Sequence, residues 1–220
     1  MVVAMDGPSG SGKSSTARGV ASRLGLRYLD TGAMYRAITW WLLRHDVDVE
    51  DPEVVASYAD APLLVSGTDP QAPTITVDGT DVAGPIRGPE VTAAVSAVSA
   101  VPRIRERLLR EQRDIIGDGD IVVEGRDIGT VVAPDAEVKV FLTADAAARA
   151  VRRAAEQSGA DVAATEQDLA RRDRIDSRRA TAPLTMAVDA HHIDTTPYTL
   201  EEVVDQVVAL VHRVREPHGS

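Results

Sequence analysis

Along the 220 residues, short apolar runs alternate with stretches whose apolar positions recur at helical spacing. Val2-Val3-Ala4-Met5 is the first run, and Asp6-Gly7-Pro8-Ser9-Gly10 breaks it at once, the pattern of a buried strand ending in a glycine-rich turn. Residues 13–24 then carry Ala17, Val20, Ala21 and Leu24 on one face, which predicts a helix. Tyr28-Leu29-Asp30 reads as a second short strand, and Met34, Ile38, Trp41 and Leu42 predict a helix from Thr31 to Arg44, with the Trp40-Trp41 pair assigned to packing. Further along, Pro102 opens a predicted helix through Ile116, Ile121 to Glu124 and Val138 to Leu142 read as strands, and Ile193 marks a last one. Residues 145–175 read as helical, broken at Gly159. Thr199 and Glu202 form a capping box for a final amphipathic helix bearing Val203, Val207, Leu210, Val211 and Val214, and residues 216–220 read as a frayed tail.

One stretch departs from the alternation. Residues 46–62 are acidic and contain Pro52 and Pro62, a solvated connector with room for one short helix. Leu63-Leu64-Val65, Thr74-Ile75-Thr76-Val77 and Thr80-Asp81-Val82 follow as short β-prone runs, with the hairpin signal Asp78-Gly79 between the last two. This local antiparallel patch reads as an inserted lobe. Elsewhere strands alternating with helices predict an α/β core with a parallel sheet, its ligands at the carboxyl ends of the strands.

Composition narrows the function classes. The chain is 44% hydrophobic and 26% charged, enough for one core carrying inserted lobes, and at 3% aromatic that core must be aliphatic. A formal net charge of −10 argues against a nucleic-acid coat or an anionic-membrane binder, both of which need a basic surface. The absence of cysteine excludes a disulfide framework, a thiol nucleophile and cysteine-ligated zinc. No apolar run approaches the roughly 18 residues of a membrane span. The first run has no basic flank of the kind a secretory signal carries. The expectation is a soluble, cytoplasmic, monomeric protein with no nucleic-acid or membrane partner. The 24 basic residues are 22 arginines and two lysines, Lys13 and Lys139, and there is no asparagine.

Gly7-Pro8-Ser9-Gly10-Ser11-Gly12-Lys13-Ser14 matches the phosphate loop G-x-x-x-x-G-K-[ST] in full, with Ser15 following and with a strand before it and a helix after it. Glycines let backbone N–H groups converge on phosphate oxygens, and the helix points its positive end at the same anions. Lys13 can reach the β and γ phosphates of a bound nucleotide, and the Ser14 hydroxyl can ligate magnesium. Where arginine is the rule, a lysine here suits a point charge that must follow a moving phosphate, whereas Lys139 reads as a solvent-facing or strand-end residue. Asp6 could reach a metal through water or cap the turn. GTPases read guanine with an Asn-Lys-x-Asp element, which a chain without asparagine cannot supply. Motor proteins usually end an aliphatic strand in an acidic pair. Here the strand ending in Glu124 runs into Gly125-Arg126-Asp127, and an arginine at that point suggests a second anion.

Two phosphorylated molecules repel, so transfer between them needs converging cations and a closed site. Candidates are Arg36, Arg105, Arg126 and the group Arg172, Arg174, Arg178 and Arg179, whereas Arg107, Arg110, Arg113, Arg149 and Arg152 read as helix-face partners of carboxylates. An alternative reading of the arginine segment as a nucleic-acid patch is weakened by the lack of interleaved aromatics.

Four segments in this order, GPSGSGKSS from Gly7, LDTGAMYR from Leu29, EGRDIGTV from Glu124 and RDRIDSRRATAPL from Arg172, resemble the bacterial cytidylate kinases, over nearly the whole chain. The resemblance implies a P-loop kinase that phosphorylates CMP, and dCMP, from ATP with magnesium, in pyrimidine nucleotide metabolism. It implies that Thr31, Arg36 and Arg126 hold the acceptor phosphate and that Asp127, Arg105 and Ser96 read the base, with Ser99 one helical turn away as the competing match for Ser96. Arg172 and Asp176 are expected at the ribose, and Arg179 at phosphate. Lys13, Arg126, Arg172 and Arg179 then carry the transfer. The implied division is a core of residues 1–34, 112–149 and 184–220, a monophosphate-binding insertion of 35–111 and a helical lid of 150–183. Arg174 and Arg178 have no assigned role, His191 and His192 are read as structural, and Asp127 could also pair with Arg126. Two other classes stay open, a kinase for another monophosphate or small metabolite and a non-catalytic nucleotide-binding regulator.

Overall fold

A computed structural model describes residues 1–156, 161–178 and 183–216, apart from the side chains of Glu156 and Arg178. The chain opens with β1 (Val2–Asp6), α1 (Lys13–Leu24), β2 (Arg27–Asp30) and α2 (Thr31–Arg44). The lobe follows, with α3 (Pro52–Ser57), β3 (Leu64–Ser66), β4 (Ile75–Val77), β5 (Thr80–Asp81), a 3-10 turn at Pro85–Arg87 and α4 (Pro89–Val98). The chain then returns through α5 (Pro102–Ile116), β6 (Ile121–Gly125), β7 (Val138–Thr143), α6 (Ala146–Glu156), α7 (Val162–Arg178), β8 (His191–Asp194) and α8 (Leu200–Arg215).

Five strands make one parallel sheet in the order β2-β6-β1-β7-β8. Because successive side chains of a strand face opposite sides, each strand feeds two cores. Val3, Met5, Val122 and Val140 pack against α1 and α8 through Ala17, Val20, Val204 and Val207. Ala4, Ile121 and Val123 face the other way and join Ile38 and Leu42 of α2, Ile104 and Leu108 of α5, and the lobe residues Ile75 and Ile86. The lobe therefore shares the core of the main sheet.

The antiparallel patch is a three-stranded sheet, β3-β4-β5, turning at Asp78 and Gly79 with φ of 50° and 79°, the left-handed pair that a two-residue hairpin needs. Thr199 and Glu202 form the expected capping box of α8. Two elements carry no signal strong enough to read in advance. α4 is built from small residues, with only Val91, Val95 and Val98 marking its buried face. Ile128–Val132 forms a π-helical turn straight after β6. Gly159, the expected break between α6 and α7, lies outside the described residues. Among the described residues no helix is long and apolar enough to cross a membrane.

Candidate active site

The carboxyl end of β1 runs into the phosphate loop. At Gly7, φ is +149° and a Cβ would strike the backbone carbonyl of Leu142 on β7; at Gly12, the N-cap of α1, φ is 87°. Both positions are closed to ordinary side chains, so the glycines are required by the turn. The Lys13 ammonium lies folded back on its own loop, donating to the Pro8 carbonyl at 2.8 Å. Burial and the neighbouring Arg126 push its pKa down.

Beside Lys13 a buried hydrogen-bond chain crosses the sheet. The Ser14 hydroxyl donates to one oxygen of Glu124 at 2.9 Å, and the Tyr28 hydroxyl donates to the other. Burial and the Asp30 carboxylate hold the Glu124 pKa up, and burial with the Glu124 charge keeps Tyr28 protonated as a donor. The Thr31 hydroxyl donates to the Glu124 backbone carbonyl at 2.7 Å.

From this wall a cleft of about 530 Å³ extends to the lobe, where Thr74, Ile86, Val95 and Ser99 line it. Arg36 stands in its middle, donating to the Ile86 carbonyl at 3.1 Å and to the Thr92 hydroxyl at 2.9 Å. Burial, and then Arg172, lower its pKa to about 9, so it keeps its charge near neutrality. Arg126 donates to Asp176 of α7 at 2.9 Å and to the Gly7 carbonyl at 3.1 Å, and Arg172 approaches the Ser9 hydroxyl at 3.4 Å. Burial and Arg126 bring Arg172 down to about 10, and its buried Nε has no hydrogen-bond partner. At the far end Asp127 is ion-paired with Arg105, whose guanidinium also donates to the Ser99 carbonyl at 3.2 Å and lies 5.5 Å from the centre of the Tyr35 ring. Ser96 and Ser99 both line this end, and Ser99 donates to the Ser96 carbonyl at 3.1 Å.

The structure thus brings Ser9, Gly10, Gly12, Lys13, Ser14, Ser15, Thr31, Arg36, Ser96, Arg105, Arg126, Asp127, Arg172 and Asp176 onto one cleft. Gly7, Pro8 and Ser11 complete the loop behind it, and Arg179 lies outside the described residues. The structure shows the partners of several individual residues. Asp127 pairs with Arg105, while Arg126 pairs with Asp176. Asp6 accepts from the amides of Ile128 and Gly129, both at 2.8 Å, and so caps the π turn. Lys139 is buried and bound to Asp189 at 2.7 Å, not solvent-facing. Arg149 has the carboxylate partner expected of it, Asp173 at 2.6 Å, and also reaches the Ser9 carbonyl at 3.2 Å, joining α6 and α7 to the phosphate loop. Tyr28, Asp30, Arg87 and Glu124 also line the cleft. Of these, only Glu124 carried a signal, as the acid at the end of an aliphatic strand.

A family profile described as cytidylate kinase matches residues 3–213. Curated relatives named cytidylate kinase include one from Streptomyces avermitilis, 57% identical over 98% of this chain and 94% of its own length. One from Streptomyces griseus is 58% identical over the same shares. The chain belongs to the cytidylate kinase family. A solved structure of an uncharacterized protein from Eubacterium ventriosum shares the fold, with a TM-score of 0.53 over 99% of each chain at 10% identity. In this cytidylate kinase the phosphate loop, Arg36, Arg126, Arg172 and the Arg105–Asp127 pair line one cleft, so several guanidiniums share it with the loop.

Proposed function

We propose that this chain transfers the γ-phosphoryl group of ATP to CMP, and to dCMP, giving ADP and CDP or dCDP. The observation that carries the reading is one continuous cleft joining the phosphate loop to a buried arginine–aspartate pair through a row of guanidiniums. Residues 7–15 hold the polyphosphate, with Lys13 along its β and γ groups. Thr31, Arg36 and Arg126 hold the acceptor phosphate. Asp127 accepts from the N4 amine of cytosine and Arg105 donates to N3 or O2, with Ser96 beside them. Arg172 and Asp176 serve the ribose, and Arg172 and Arg179 close over the transferring group from the lid, residues 150–183. The insertion, 35–111, brings the acceptor to the core formed by 1–34, 112–149 and 184–220.

An oxygen of the CMP phosphate attacks the γ phosphorus, the bond to the bridging oxygen breaks, and ADP leaves with those electrons. No covalent enzyme intermediate and no side-chain base are needed, because the work is positioning and charge neutralisation. The wall beside Lys13 offers the Ser14 hydroxyl and the carboxylates of Glu124 and Asp30, oxygen donors that suit a hard cation. Among the described residues no group of three His, Cys, Asp or Glu could hold a metal alone, so the ion fits as part of the nucleotide complex. Magnesium, held at Ser14, would neutralise charge on the β and γ phosphates. The reading is of a cytoplasmic, monomeric enzyme.

A coupled assay of ADP release with CMP, dCMP, UMP, AMP or no acceptor tests the reading. CMP and dCMP should give the highest kcat/KM, and Lys13→Ala should lower CMP turnover at least about a hundredfold with the fold retained. ADP release independent of the acceptor, or near-normal turnover by the Lys13 variant, would overturn it.

A further inference from the structure

The hydrogen-bond chain through Glu124 contains one member with no place in the reaction described above. Tyr28 lies on β2, opposite Val122 in the register, and Glu124 is two residues beyond Val122 on the same face of the sheet. A long side chain reaches such a diagonal neighbour, and the Tyr28 hydroxyl meets the Glu124 carboxylate there with both residues buried. The tyrosine is held firmly. Its backbone amide, on the edge of the sheet, donates to the Thr68 carbonyl of the loop between β3 and β4 at 2.8 Å, and Arg18 clamps the same loop through the Pro70 carbonyl at 3.0 Å.

A serine hydroxyl has one proton and two lone pairs. With its proton given to Glu124, the Ser14 oxygen keeps lone pairs for a cation on the nucleotide. That orientation holds only while the carboxylate faces Ser14, and a carboxylate fixed at one oxygen alone can turn about its terminal bond. The Tyr28 hydroxyl supplies the second fixed point.

We propose that Tyr28 is a positioning residue for the donor site, acting through Glu124 to aim the Ser14 hydroxyl so that the nucleotide is bound as its magnesium complex. The inference rests on the assignment of Ser14 to the metal-bearing donor. The Tyr28 hydroxyl is given to Glu124, so its effect passes through Glu124 and Ser14 and belongs to the metal-dependent part of nucleotide binding. Outer groups of this kind commonly alter metal affinity tenfold or more.

Calorimetry of ADP binding, with magnesium and with EDTA, separates that part. In Tyr28→Phe, which keeps the ring and loses the hydroxyl, the gain in affinity from magnesium should shrink about tenfold, with metal-free ADP and CMP affinities within about twofold of the parent. Tyr28→Leu, a second side chain without a hydroxyl, serves if the phenylalanine variant does not fold. In a Glu124→Gln background, Tyr28→Phe should change the magnesium gain by less than about twofold, because its route is already broken. Equal losses with and without magnesium, no loss, or an undiminished effect in the Glu124→Gln background would overturn the proposal. Ser14→Ala separates the two levels. If it abolishes the magnesium gain and Tyr28→Phe does not reduce it, only the role of Tyr28 falls. If Ser14→Ala leaves the gain intact, the donor assignment falls with it.

Discussion

In the proposed reaction, the choice between two pyrimidines at Asp127 comes down to which atom of the base faces a carboxylate. Cytosine presents an amine and uracil a carbonyl, so uracil sets acceptor against acceptor, and an unmet buried polar group costs about 1–3 kcal/mol. Asparagine at this position can turn its amide either way and gives up the distinction. Asp127→Asn should therefore lower the CMP-to-UMP ratio of kcat/KM by about tenfold or more, with the KM for ATP within about twofold, measured side by side in the coupled assay. An unchanged ratio would remove Asp127 from base reading. The same residue shows where a single sequence stops being informative. The Gly125-Arg126-Asp127 string points to an anion and leaves Asp127 on the base or beside Arg126. It does not point to the ion pair with Arg105, 22 positions away and brought over by α5. Lys13 and Ser14 were legible because they lie in one contiguous loop with a complete phosphate-loop pattern. Tyr28 was not, because its hydrogen bond to Glu124 spans 96 positions.

Among the elements, the π turn at Ile128–Val132 is held by an acid from another strand. Asp6, at the end of β1, accepts two amides of this turn, yet burial outweighs those donors and raises its pKa from 3.8 to about 6. The folded protein thus binds this proton more tightly than the unfolded chain does, so between those pH values stability falls as pH rises. The contribution is full below about pH 4 and lost above about pH 6, opposite in sign to that of a carboxylate in an ion pair. Urea unfolding of the parent and Asp6→Asn at pH 5 and pH 8 checks it. The advantage of the parent should be smaller at pH 8 by about 1 kcal/mol, at roughly 1.4 kcal/mol per pH unit of linkage. A larger advantage at pH 8 would mean that the two amides dominate. Elements with strong periodicity or a terminal signal, such as α1, α2, α5, the β4–β5 hairpin and α8, were evident from the residues alone. The π turn was not, because what stabilises it is a carboxylate more than 120 residues earlier. α4 was not, because small side chains give little periodic contrast and its packing against α2 is a tertiary event.

For the molecule as a whole, the decisive question is whether the insertion is a separate body or part of one cooperative unit. Its sequence boundaries suggest separateness. Its packing does not, since Ile75, Val77, Val82 and Ile86 share a cluster with Leu29, Ile121 and Val123 of the central sheet. Ile86 is 1% exposed, and its carbonyl receives Arg36, so the apolar floor of the lobe also carries a cation of the cleft. Both tryptophans, Trp40 and Trp41, lie on α2 at this seam and report on it by fluorescence, while far-ultraviolet circular dichroism reports on the helices of every part. If the shared cluster makes one unit, Ile86→Ala leaves a cavity felt by the entire chain. It should lower stability by about 2–4 kcal/mol, and both probes should move to the same new urea midpoint with unchanged slope. Early loss of the fluorescence signal alone, with the circular dichroism midpoint unmoved, would make the insertion an independent folding unit. In the coincident case the cost of moving the lobe against the sheet is set by the same contacts that hold the fold, and the acceptor side of the cleft is as firmly built as the phosphate loop.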